Sequence, residues 1–90
     1  MRAGDQKLFG VIRECYPVLS WVHLEDGAEI KHAPDEFKDD IKRLDKLGIV
    51  YKRNNRSLGI RWQRLRKIVE RNNTGIIVPF EHERLLEYFA

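Results

Sequence analysis

Eight basic side chains and a single acidic one, Glu70, fall between Lys52 and Arg71. The basic residues are Lys52, Arg53, Arg56, Arg61, Arg64, Arg66, Lys67 and Arg71, with Asn54, Asn55 and Ser57 set among them. Side chains of these types at this density can hold a polyanion. Ammonium and guanidinium groups neutralise phosphates and release their counterions, which gives affinity without reading sequence. Arg can bond guanine bidentately and Asn can bond adenine, which adds base readout. Residues 1–48 carry eight basic and ten acidic side chains, a net of −2. The formal charge of +3 therefore conceals a mildly acidic first half followed by a strongly basic segment. A field segregated in this way suits nucleic acid as a partner. A solvated, Arg-rich surface without a partner is the alternative reading of the same residues.

The elements that must position these groups are legible from periodicity. Ile49 to Trp62 reads as a hairpin about an Asn54-Asn55 turn, since Asn tolerates the left-handed conformations a turn requires. That register pairs Arg53 with Arg56, Tyr51 with Leu58 and Ile49 with Ile60. It puts Ile49, Tyr51, Leu58 and Ile60 on one apolar face extended by Trp62, with Val50, Lys52, Ser57, Gly59 and Arg61 on the other. Gln63 to Asn72 reads as a basic amphipathic helix: Leu65, Ile68 and Val69 face inward, and Arg64, Lys67 and Arg71 form a row at i, i+3 and i+7. Pro34 to Leu47 reads as a helix whose stripe is Phe37, Ile41, Leu44 and Leu47, with Gly48 as its C′ residue.

Upstream, Asp5 to Tyr16 reads as a helix capped by Asp5 and ended by Pro17, with Leu8, Phe9, Ile12, Cys15 and Tyr16 on one side. Val18 to His32 alternates in a way that suits a hairpin turning at Glu25-Asp26-Gly27, pairing Leu24 with Ala28 and Val22 with Ile30. A short helix from Ser20 is the competing reading. Downstream, Ile76 to Pro79 suits a short strand and Glu81 to Phe89 a last helix, whose Leu85, Leu86, Tyr88 and Phe89 are available for packing or for a dimer contact.

The bulk numbers narrow the class. Ninety residues with 42% hydrophobic and 34% charged content fit one globular domain over 1–90 and not a disordered tail. No apolar run is long enough to span a membrane, and Met-Arg-Ala-Gly-Asp is not followed by the apolar stretch of a secretory signal. The one cysteine, Cys15, excludes an internal disulfide, points to a reducing cytoplasmic compartment and reads as a small core residue. His23, His32 and His82 stand apart in sequence, so no zinc spacing exists. Asp39 and Asp40 are adjacent on a helix and point in different directions. No Gly-rich phosphate loop and no hydrolase or metalloprotease motif occurs. Neither enzyme, cofactor nor metal is expected.

Phe37, Ile41, Leu44 and Leu47-Gly48-Ile49-Val50, a polar turn, and then Leu58-Gly59-Ile60-Arg61-Trp62 resemble the recognition helix and wing of winged-helix DNA-binding domains. The resemblance covers roughly residues 34–62. It implies that Lys38, Lys42 and Arg43 enter the major groove and that Lys52 to Arg56 touch the adjacent backbone or minor groove. It also implies a preceding helix within 20–30.

The sequence thus predicts a small α+β domain in the order helix, hairpin, helix, hairpin, helix, helix, with a winged-helix-like helix and basic wing. The expected function is binding of nucleic acid, DNA ahead of RNA, as a transcriptional or mobile-element regulator that is monomeric or homodimeric. The candidate contact residues are Lys38, Lys42, Lys52, Arg53, Asn54, Asn55, Arg56, Arg61, Arg64, Lys67 and Arg71. The alternative is a small interaction module or inhibitor of phage or mobile-element type. It would dock on a host or effector protein, with Trp21, His23 and Trp62 as aromatic anchors.

Overall fold

Pro17 does not merely end the first helix; it starts the second. In the computed structural model, which describes residues 3–25 and 28–90, α1 spans Ala3–Glu14 and α2 spans Tyr16–Leu24. Cys15 forms the joint, and Pro17 sits in the first turn of α2, where its missing N–H costs nothing. Asp5 lies inside the first turn of α1 rather than before it.

The expected hairpin over Val18 to His32 is therefore not formed. The alternation of Trp21, Val22, His23 and Leu24 is short, and a helical stripe overrides it: Val18, Leu19 and Val22 are buried with Cys15 and Ile12, while Leu24 is exposed. Of the expected turn, Asp26 and Gly27 lie outside the described residues. Glu29 is extended as expected but finds a different partner, and Ile30 already opens a 3₁₀ turn. The Leu58 N–H donates to the Ala28 carbonyl at 3.0 Å, and the Ile30 N–H donates to the Arg56 carbonyl at 2.7 Å, around a Glu29–Ser57 bridge.

Two 3₁₀ turns, Ile30–His32 and Asp35–Phe37, lead into α3, Lys38–Lys46. Its stripe is as read: Leu44 is fully buried, and Phe37, Ile41 and Leu47 pack against the core. Gly48 adopts φ 73°. The Gly48 N–H donates to the Asp45 carbonyl at 3.0 Å and the Ile49 N–H to the Leu44 carbonyl at 2.9 Å, the paired bonds of a Schellman motif. Gly48→Ala is expected to cost about 1 kcal/mol in urea denaturation, because a Cβ is strained in this conformation.

The hairpin follows, with β1 Val50–Lys52 antiparallel to β2 Leu58–Ile60. Its register is one residue from the expected one: Val50 pairs with Ile60, Tyr51 with Gly59 and Lys52 with Leu58. Asn54 is the reason. Its side-chain oxygen accepts the N–H of Arg56 at 2.7 Å and of Ser57 at 3.0 Å, closing a three-residue loop in place of a two-residue turn. Arg53 consequently bonds Ser57, not Arg56, and two like charges are spared direct opposition. The shift changes the faces as well. Val50, expected outside, is buried with Leu58 and Ile60. Tyr51, expected inside, lies half-buried on the side of Arg53 and Gly59.

Helix α4, Trp62–Asn72, buries Leu65, Ile68 and Val69, and α5, His82–Glu87, buries Leu85 and Leu86. Trp62 opens α4 rather than extending the hairpin's inner face. The expected strand at 76–79 is absent; only Val78 of that run is buried. Phe89 is fully buried and meets Phe9 at 4.7 Å between ring centroids, so the C-terminal segment closes this chain's own core. The described residues form a small α+β domain of five α-helices and a two-stranded antiparallel hairpin around one cluster of buried apolar residues.

Cys15 belongs to that cluster. Burial pushes its thiol up to about 11, and the Asp40 carboxylate adds to the shift. A raised thiol pKa means that the folded state favours the neutral form. The contribution is complete below the ordinary value of 9.0 and is lost as pH rises to about 11. Wild-type protein is expected to lose about 3 kcal/mol relative to Cys15→Ala across that interval, read from urea midpoints. At neutral pH the native thiol should stay silent to a chromogenic thiol reagent until the chain is unfolded.

Candidate nucleic-acid interface

The candidate cations fall on three parts of the fold. The first is a groove of about 310 Å³ between α3 and the hairpin, which gathers Lys38, Lys42 and Lys52 on apolar walls that include Ile41 and Leu58. Lys38 and Lys42 stand one turn apart on α3, and Lys52 joins them because α3 packs against β1. Asp45 also lines the groove and opposes an anion there. Lys38 is already partnered, its ammonium lying 2.8 Å from Asp35. Hydrogen bonding between the two lowers the Asp35 pKa and raises that of Lys38. Arg43, expected beside them, points to the other flank of α3, where its guanidinium contacts Glu14 of α1 at 3.2 Å and Asp40 at 3.3 Å. It is thus removed from the groove by its own ion pairs.

The second part is the hairpin tip, where Lys52, Arg53, Asn54, Asn55 and Arg56 are all exposed. Asn54 serves the loop. Its oxygen is occupied by two backbone N–H groups and the Ser57 hydroxyl, so the bidentate adenine contact is closed to it. Asn55 makes no side-chain hydrogen bond among the described residues, and its amide is available. No carboxylate stands within ion-pair distance of Lys42, Lys52, Arg53, Arg56 or Arg61 among the described residues, whereas Lys31, Lys38, Arg66 and Arg84 each have one and Arg43 has two. The Arg61 guanidinium lies 4.7 Å over the Tyr51 ring, a cation–π contact that leaves its outer edge exposed.

The third part is α4. Arg64, Lys67 and Arg71 are exposed along it as expected, but Arg64 is engaged: its Nε donates to the Leu47 carbonyl at 2.7 Å. It thereby satisfies an orphan carbonyl at the end of α3. Lys67 and Arg71 lie farther along a helix that packs on α1 and α5, not on the hairpin tip.

Two arrangements escaped the sequence reading. Arg66 donates to the carbonyls of Val78 and Pro79 at 2.9 Å each, pairs with Glu70 at 3.3 Å and lies 4.2 Å from the Phe80 ring centroid. It straps the 76–80 segment to α4. The Glu70 spacing of i+4 is visible in the sequence, but the reach to residues 78–80 is not. The second arrangement joins His23, Trp62, His82 and Glu83. Trp62 and His82 stack at 3.7 Å with their planes 6° apart, His23 meets Trp62 edge-on at 5.4 Å, and His23 Nε2 lies 3.2 Å from Glu83 Oε1. The two histidines that stand isolated in sequence are thus neighbours, for which a separation of 59 residues gives no signal. Trp21 packs edge-on against Phe37 at 6.0 Å and is half-buried. Both tryptophans are therefore engaged within the chain.

Among the described residues no group of three or more metal-ligating side chains forms, and no helix is long and apolar enough to cross a membrane. No protein-family model, curated protein or solved structure matches this chain.

Proposed function

We propose that this protein binds nucleic acid, duplex DNA in the first instance, through the hairpin tip and the adjoining α3 groove. The observation that carries the reading is the contrast in pairing. Lys38 and Arg43 of α3 are paired with carboxylates, while Lys52, Arg53 and Arg56, clustered at the exposed tip, and Lys42 beside them have none among the described residues. Clustered unpaired charge repels itself, and a phosphate backbone converts that repulsion into attraction. The tip engages phosphate through Lys52, Arg53 and Arg56, with Asn55 free to meet a base edge. Lys42 completes the contact from α3. Asp45 in the groove and the Lys38–Asp35 pair make α3 the lesser contributor.

The winged-helix reading belongs to this proposal. Its support is a helix, α3, running into a basic hairpin, with Glu29 bridged to Ser57 beside the wing; α2 meets the implied 20–30 helix only as far as Leu24, and a bridged residue and two 3₁₀ turns stand between it and α3. A regulatory role follows from that resemblance, and no catalytic step is proposed.

Docking on another protein is the second reading, and one observation favours it. Ile77 and Phe80 are 93% and 82% exposed, and Arg66 holds their segment in place. Fluorescence anisotropy with labelled mixed-sequence duplex, from about 50 to 200 mM salt, separates the two. Micromolar binding with a steep negative salt slope supports the first. Absence of binding at the lowest salt rejects it and moves attention to the Ile77–Phe80 surface.

A further inference from the structure

The hairpin has another side that the α3 groove does not use. Successive side chains of β1 alternate, so Lys52 enters the groove while Tyr51 and Arg53 turn the opposite way. There they line a cleft of about 380 Å³ together with Gly59, His23, Trp62 and His82. Val22 and Ile60 supply apolar surface.

Three features define what this cleft can take. First, no carboxylate lines it, and the permanent charge in it is the Arg53 guanidinium. Second, the aliphatic stem of Arg53 lies back across the strand while the residue as a whole stays exposed, which sets its guanidinium at the rim of the cleft. A Cβ on Gly59 would lie 2.8 Å from Arg53 Cγ and 2.9 Å from Tyr51 Cε1, so the glycine is what lets both side chains lie across β2. Third, one wall is aromatic and oriented: His82 lies flat on Trp62, and His23 stands edge-on to Trp62 while held by Glu83. A cation, a flat aromatic wall and an apolar floor together suit a ligand with a planar ring and a negative charge. Ligand sites begin at about 300 Å³, so the cleft has room for one such unit and not for a folded chain.

We propose that this cleft binds a single unpaired nucleotide, its phosphate on Arg53 and its base against the Trp62–His82 wall. The inference goes beyond duplex binding, and of the residues named only Arg53 serves both sites. A free mononucleotide and an unpaired end nucleotide of a strand present the same chemistry, and the test distinguishes them.

The experiment uses the full chain carrying Trp21→Phe, so that Trp62 is the sole tryptophan, excited selectively over the tyrosines. AMP, a blunt duplex, and the same duplex with one unpaired 5′-adenylate are titrated separately. Saturable quenching by AMP assigns the site to free nucleotide; quenching by the overhang duplex beyond the blunt one assigns it to a strand end. In either case His82→Ala should weaken the quench about tenfold, as expected for loss of a stacking surface. His82→Phe should restore it, which a general folding defect would not allow. Lys42→Gln with Lys52→Gln should leave the AMP quench intact while lowering duplex affinity. No quench by either ligand overturns the proposal, as does a quench that His82→Ala leaves unchanged. Failure to bind blunt duplex with the AMP quench preserved rejects the DNA-binding reading and leaves the cleft standing.

Discussion

With Lys52, Arg53 and Arg56 replaced together by glutamine, affinity for duplex DNA in about 0.1 M salt is expected to fall about a hundredfold. Each phosphate neutralised contributes about 0.9 to the slope of log affinity on log salt, so the slope should become shallower by between 2 and 3. All three side chains are exposed, and the loop is held by Asn54 through groups the substitutions leave in place. Circular dichroism and thermal melting should therefore be unchanged, which separates lost contact from lost fold. The matching control is Lys67→Gln with Arg71→Gln on α4, expected to cost less than about fivefold. A reversal, with α4 dominant and the tip silent, would place the interface on the wrong element. Arg64 is deliberately spared in both variants. Its bond to the Leu47 carbonyl means that neutralising it would disturb the α3–β1 joint as well as the charge.

Phe89→Ala should destabilise the domain by about 3 to 5 kcal/mol, the range for truncating a buried aromatic ring. Phe89 is fully buried and its ring lies 4.7 Å from that of Phe9, so the last residues of the chain are packed on the first helix. Domains of this size commonly have about 5 to 15 kcal/mol in all, so one substitution near the C-terminus removes a large share. Urea denaturation followed by tryptophan fluorescence gives the number. A cost below about 1 kcal/mol would mean that α5 and the residues after it do not close the core. A concentration-dependent midpoint in the wild type would instead revive the dimer contact that the apolar C-terminal residues suggest from sequence.

The same contrast between local and distant effects explains what could be read before the fold was known. The helix expected over Pro34 to Leu47, found as α3 from Lys38 behind a 3₁₀ turn, and the Gln63–Asn72 helix were legible because each carries its own evidence. An apolar stripe at helical spacing must be buried, and Gly48 has the one conformation in which a helix can end this way. Tyr16–Leu24 was misread because nine residues can satisfy two periods at once. The choice fell to Cys15, Val18 and Leu19 finding a common core, a contact that alternation alone does not register. The hairpin was legible as a hairpin, but its register turned on which groups the Asn54 oxygen accepts, a matter of a single side chain.

For the site, composition and order along the chain established that positive charge is concentrated after residue 50 and that no familiar catalytic or metal-binding pattern accompanies it. Charge is a property of each residue and survives any fold. Which of those charges are free was decided by the tertiary structure alone. Arg64 was drawn in by the Leu47 carbonyl at the end of α3 and Arg66 by the carbonyls of Val78 and Pro79, while the tip residues were left exposed. The His23–Trp62–His82 cluster has the same origin: its members come from α2, α4 and α5, and only the closing of one core around them makes them neighbours.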